Sequence, residues 1–177
     1  MLGRTYHNRL VVVARGFTLL EMSVALALLA VLALLAGPGL RDYLQDCRRS
    51  ATVNALGHAV HTARQLAGVR GVAVELCPTA DGAECTGRLD WRGDLLLRSA
   101  DGAALRVITA TASGAQQSVR GNRPVLSFAP LAPSASTATL TVCDDRGPRA
   151  AAAVIVSRSG RPRFAVRDAS GRPLVCP

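Results

Sequence analysis

The sequence predicts an α+β protein. One long N-terminal helix, membrane-like in its first half and amphipathic in its second, packs on a C-terminal head shaped like an antiparallel β-sandwich. Three observations carry this reading. Residues Phe17 to Ala36 form an apolar run broken by a single carboxylate. A three- and four-residue apolar rhythm continues beyond it. After Gly71 the pattern changes to short β-rich runs separated by turn dipeptides.

The run Phe17 to Ala36 is long enough, at about 1.5 Å per helical residue, to cross the roughly 30 Å core of a bilayer. Arg4, Arg9 and Arg15 precede it and no acid does. Positive charge before a span is retained in the cytoplasm, so everything after Ala36 is expected on the far side of the membrane. Gly37-Pro38-Gly39 loosens the helix at that boundary, because proline removes a backbone donor and glycine adds freedom. Inside the run stands Glu21, and an acid at the centre of a membrane helix costs on the order of 2.5–3.5 kcal/mol. Locally, Thr18-x-x-Glu21 reads as a capping box at the helix start.

The stretch Gly16, Phe17, Thr18, Leu19, Leu20, Glu21, followed by an apolar helix and Pro38, resembles the class III leader of type IV pilins and pseudopilins. The resemblance implies a leader over 1–16, cut by a prepilin peptidase between Gly16 and Phe17, with methylation of the new Phe17 amine. It implies a filament helix over 17–39 that assembles with other pilins or pseudopilins. Glu21 then has a second role. Its carboxylate is expected to pair with the Phe17 amine of a neighbouring subunit, so that two buried charges are matched.

Residues 40–68 are expected as an amphipathic helix. Leu40, Tyr43, Leu44, Cys47, Ala51, Ala55, Ala59, Ala63 and Leu66 mark the apolar stripe, and Gly68 and Gly71 end it. His58 and His61 share a face, but no cysteine or acid joins them at ligand spacing, so they are read as surface or packing histidines. The head, 69–177, contains β-rich runs at Val72–Cys77, Leu95–Leu97, Leu105–Ile108, Val125–Phe128, Thr139–Cys143, Ala153–Val156 and Arg163–Val166. Ala110–Gln117 and Ala129–Ser136 are read as loops. Aromatic residues are only 3% of the chain, so the core must come mainly from Val, Leu and Ala, with Trp91 as its main aromatic anchor.

The chain has five cysteines, and its head is expected in an oxidising compartment, where disulfides are the default. Cys77 and Cys85 flank the Asp81-Gly82 turn. Cys143 ends a strand, and Cys176 lies near the end of the sequence. Pairing Cys77 with Cys85 and Cys143 with Cys176 leaves Cys47 as a small apolar group on the helix. Choosing four of five cysteines and pairing them allows 5 × 3 = 15 connectivities. Closing the Cys143–Cys176 loop would contribute roughly 3–4 kcal/mol.

Net charge is +9, and every basic residue is arginine. Such a balance favours anionic partners. Seven arginines and one acid, Asp168, follow Asp145. In a strand over Pro162–Arg167, Phe164 and Val166 would face the core, and Arg163, Ala165 and Arg167 the solvent. An ordinary solvated sheet face has that pattern too, as does a basic docking surface for a neighbouring pilin. Neither requires three arginines without an acid between them. The planar guanidinium fork suits phosphate. No aromatic of this stretch is expected to be available for base stacking, so contact with the DNA backbone without sequence reading is expected.

Cys77, Asp81-Gly82, Cys85, Asp90-Trp91, Gly93, Leu140–Asp144, Val156-Ser157, Ser159–Arg163 and Cys176 together resemble the FimT branch of the FimT/GspH minor pilin family. That likeness implies non-sequence-specific binding of double-stranded DNA during natural transformation by a Gly-Arg-x-Arg element, here Gly160, Arg161, Pro162 and Arg163, with Arg167 beside it. It implies an inner-membrane, single-pass protein with a periplasmic head. The alternative within the same family is a GspH-type pseudopilin of type II secretion that does not bind DNA. No nucleophile elbow, phosphate loop, metal-ligand set or cofactor motif occurs, so a structural and binding role is expected, not an enzymatic one.

Overall fold

The computed structural model describes residues 16–111, 116–130 and 135–176. The expected leader lies outside the described residues except for Gly16, as do parts of both expected loops. The chain forms two compact units, Met1–Asp42 and Tyr43–Pro177. One helix, α1 (Leu19–Arg70), contributes to both.

In the first unit the backbone of Gly16–Thr18 is irregular and α1 begins at Leu19. Thr18 Oγ1 accepts the Glu21 N–H at 3.2 Å, which is half of the capping box. From Leu19 to Leu34 the side chains are exposed. No single helix among the described residues is long and apolar enough to cross a membrane. The segments Leu19–Leu34 and Gly39–Arg70 pass that test together, with the break at residues 35–38. The break falls at the far end of the expected span Phe17–Ala36, where Gly37-Pro38-Gly39 is expected to loosen the helix.

In the second unit the buried face of α1 carries Val53, Leu56, Ala59, Val60, Ala63 and Ala67. This corrects the expected stripe. Ala59 and Ala63 belong to it, but Tyr43, Leu44, Cys47 and Ala51 are exposed. Cys47 is a free, exposed thiol rather than a buried apolar group. The helix runs two residues past Gly68. Gly71 closes it at φ +67°, donating its N–H to Ala67 O at 3.0 Å.

The head is a pair of antiparallel four-stranded sheets, as the alternating runs predict. The first has the order β3-β2-β1-β5, built from β1 (Val74–Thr79), β2 (Asp94–Ser99), β3 (Ala104–Thr109) and β5 (Leu126–Phe128). The second has the order β4-β6-β7-β8, built from β4 (Ser118–Gly121), β6 (Ala138–Cys143), β7 (Ala152–Val156) and β8 (Pro162–Ala165). Alternate residues of both sheets, among them Val74, Leu76, Leu95, Leu97, Leu140, Val142, Val154 and Val156, meet α1 in one core. Trp91 is fully buried there, as expected. Its backbone N–H donates to Val119 O and its Nε1–H to Arg123 O. A Cβ at Gly121 would lie 2.3 Å from Trp91 Nε1, so that position admits only glycine.

A second, smaller cluster lies on the other face of the second sheet. It contains Cys143, Ala151, Ala153, Ile155 and Leu174. The Cys143–Cys176 disulfide holds the C-terminal segment over it, and a second disulfide joins Cys77 to Cys85.

Polar contacts fix this part of α1 to the turn after β6. Arg146 Nη2 reaches Asp46 at 2.8 Å and Asp144 at 2.6 Å. Arg49 pairs with Asp46 and donates to Ala150 O. The Arg146 side-chain bond holds the Asp144 carboxyl below its ordinary pKa. A depressed carboxylate contributes stability above its unfolded pKa of about 3.9 and loses it as pH falls through the folded value. Asp144→Asn is therefore expected to destabilise the head by on the order of 2 kcal/mol at pH 7. That is less than the roughly 3–5 of a fully buried pair, because Arg146 keeps some solvent contact. The deficit should shrink below about pH 4, measured by denaturant unfolding across pH.

Candidate functional site

The arginine-rich segment forms a hairpin between β7 and the edge strand β8. The last ladder pair is Val156 with Pro162, and Ser157 N–H donates to Arg161 O at 3.1 Å. Three residues, Arg158, Ser159 and Gly160, make the turn. Gly160 sits at φ +69°, the left-handed position such a loop places before its closing strand. It is also crowded. A Cβ there would meet Arg64 Cδ at 3.2 Å, Phe128 Cδ1 at 3.3 Å and Ala135 Cβ at 3.4 Å. Glycine is thus required both by the turn and by its contact with α1 and β5. Pro162 opens the edge strand, where its missing N–H costs no ladder bond.

Arg158, Arg161 and Arg163 are exposed, and none forms a salt bridge among the described residues. The nearest acid in sequence, Asp168, is engaged elsewhere. The Ser170 hydroxyl, helped by Arg172, lowers its pKa to about 2, and its Oδ2 lies 3.1 Å from Arg172 Nε. The hairpin therefore carries positive charge that no acid among the described residues neutralises.

Arg167 stands differently. β8 ends at Ala165, so the expected strand over Pro162–Arg167 is shorter than predicted. Arg167 is exposed, but its Nη1–H donates to Gly171 O at 3.1 Å within the C-terminal turn. The alternation holds inside β8: Phe164 pairs with Val154 of the core face, and Arg163 with Ile155 of the outer face. The expected burial fails. Phe164 is 57% exposed and Val166 76% exposed, because β8 is the sheet edge and no described strand lies beyond it. The Phe164 ring rests on α1 at Gly57, where a Cβ would come within 3.0 Å of it.

Arg64 escaped the sequence reading as a site residue. It lies about a hundred residues upstream of the hairpin, and only the folded contact with Gly160 joins the two. Among the described residues no cluster of His, Cys, Asp and Glu is placed to hold a metal ion.

A family profile described as Type II transport protein GspH matches residues 52–160, more than half of the chain. The chain belongs to the GspH family. The match covers the last third of α1 and most of the head, and it stops at Gly160, just before Arg161 and Arg163. A profile of the prokaryotic N-terminal methylation motif matches residues 13–37 of this GspH-family chain, around Gly16, Phe17 and Glu21. Two crystal forms of the Pseudomonas aeruginosa type IV minor pilin FimU are similar in structure. One, in space group P65, has a TM-score of 0.53 at 18% identity, covering 72% of this chain and 98% of FimU. The other, in P21, has a TM-score of 0.56 at 18% identity, covering 76% and 98%. At that identity the likeness concerns the fold. No curated protein matches the chain.

Proposed function

We propose that this GspH-family chain is a minor type IV pilin of the FimT kind, processed at Gly16–Phe17 and anchored in the inner membrane. In this reading α1 assembles with other pilins, Glu21 pairs with the Phe17 amine of a neighbour, and the periplasmic head binds the DNA backbone during natural transformation. The observation that carries the DNA reading is the hairpin: Arg158, Arg161 and Arg163 are exposed together and lack any acid partner among the described residues. Unpaired guanidinium groups on a projecting turn suit phosphate, which they contact without reading sequence. The exposed apolar side chains from Leu19 to Leu34 suit lipid before assembly and neighbouring helices after it.

The family description favours a second reading, in which the chain is a structural pseudopilin of type II transport and the arginines meet a neighbouring subunit. DNA binding separates the two. Under the first reading, purified protein binds short duplexes of unrelated sequence with similar affinity at low salt, and no binding of duplex or single strand leaves the second. Processing is common to both. The intact mass of membrane-extracted protein should show loss of residues 1–16 and the gain of one methyl group. An intact N-terminus, or a cut near Gly37, would remove the pilin reading altogether.

A further inference from the structure

We propose that the β8 edge is a single-strand site, with the Phe164 ring as a platform for an unpaired base and Arg161, Arg163 and Arg64 as the phosphate contacts around it. This rests on the DNA reading above and adds to its duplex contacts a further contact that only the single strand can make.

Three features converge on the edge. The first is Phe164 itself. Trp91 and Phe128 of the head are buried to within 1% of completely, whereas Phe164 is more than half exposed. An exposed aromatic side chain next in sequence to the exposed Arg163 offers a π-face on which an unpaired base can stack. The second is how the ring is held. It lies against α1 at a glycine, Gly57, where a methyl group would intrude to 3.0 Å. The helix therefore backs the ring while leaving part of it open to solvent. The third is the direction of the hairpin along α1. Gly57 meets Phe164, and Arg64, two turns further along the helix, meets Gly160. The hairpin runs antiparallel to the helix, so the exposed face between those contacts includes His61 as well as Arg64.

The alternation of β8 then divides the work. Arg163 lies on the outer face with Ile155, and Phe164 lies on the α1 side with Val154. A nucleic-acid strand lying along the unpaired edge would place its phosphates toward Arg161 and Arg163 and turn a base toward Phe164. Arg64 closes the α1 side with a further cation. Every base has a π-face, so stacking on one ring adds affinity without sequence preference. A duplex keeps its bases stacked inside and offers that ring nothing.

The test uses the full chain in detergent micelles, with fluorescence anisotropy on a labelled mixed-sequence 20-mer as single strand and as duplex. Phe164→Leu is expected to weaken single-strand binding about tenfold, within the range found for one stacked base, and to change duplex binding by less than about twofold. Phe164→Tyr should restore single-strand binding. Arg64→Gln should lower the salt slope by about 0.7 for the single strand. Phe164→Trp should give indole emission quenched by the single strand and not by the duplex, a readout that does not depend on comparing stabilities. Equal single-strand affinity for wild type and Phe164→Leu, with both weakened by Arg161→Gln/Arg163→Gln, would overturn the platform and leave the DNA reading standing. Loss of cross-linking to a neighbouring pilin in Phe164→Leu, with single-strand binding unchanged, would make the edge a protein interface and overturn it likewise. No binding of either nucleic acid by wild type would remove the DNA reading itself.

Discussion

Replacing Cys143 and Cys176 together by Ser is expected to lower the stability of the head by about 3.7 kcal/mol, the chain-entropy value for a loop of this length. The two cysteines are 33 residues apart, and the loop they close contains β7, the arginine hairpin and β8. The bridge therefore does more than restrict the unfolded chain. In the folded head it holds the C-terminal segment, with Leu174, over the outer face of β6 and β7. That cluster is small and has little else to keep it closed. The corresponding loss for Cys77 and Cys85, only eight residues apart, is about 2.5 kcal/mol by the same relation. Denaturant unfolding of the two double variants should rank them in that order. The melting temperature of the first should fall by roughly 10 °C or more. Non-reducing peptide mapping of the native protein checks the premise: a Cys85–Cys143 bridge would refute both pairings. The exposed Cys47 should react with a thiol reagent without denaturant.

The fold was readable where residues carry their own local signal. Alternating Val, Leu and Ile runs located seven strands to within a few residues, because a buried strand face leaves a period of two in the sequence. β4 was not read. Ser118-Val119-Arg120-Gly121 has one β-branched residue, and it is a strand because β6 pairs with it and Trp91 covers Gly121. The phase of α1 was misread for a related reason. A helix rich in alanine shows apolar residues on several faces, so spacing alone does not select the face that meets the sheets. Val53, Leu56 and Val60 select it through bulk. At the candidate site, Arg161 and Arg163 stood out by the absence of acids around them. The exposure of Phe164 did not, because alternation assigns a face and says nothing of whether a neighbouring strand exists to cover it. Arg64 carried no local signal at all, since its place beside Gly160 is a tertiary contact.

Changing Arg161 and Arg163 together to Gln is expected to remove about 1.8 from the slope of log affinity against log salt for duplex DNA, at about 0.9 per phosphate contact. Between 50 and 200 mM salt, wild type should then lose about 12-fold more affinity than the variant. The head should stay folded, because both side chains are exposed and make no ion pair among the described residues. A fragment beginning at Tyr43 suits the measurement, since it retains Gln45 and Asp46, which bond Asp145 and Arg146. The charge control must be chosen from the structure. Arg48 and Arg49 are unsuitable, because Arg49 pairs with Asp46 and donates to Ala150 O. Arg70, at the end of α1, and Arg106, on β3 of the other sheet, are exposed and belong neither to the Asp46–Arg146 contacts nor to the hairpin. Changing those two to Gln removes the same net charge. A uniformly basic surface would give both double variants the same loss of slope. A localised site gives the loss to Arg161 and Arg163 and leaves the control near wild type, since exposed charges more than about 10 Å from a phosphate are largely screened at 0.1 M salt. Equal losses would therefore reduce the hairpin to bulk charge and return the weight to a pseudopilin that meets only protein.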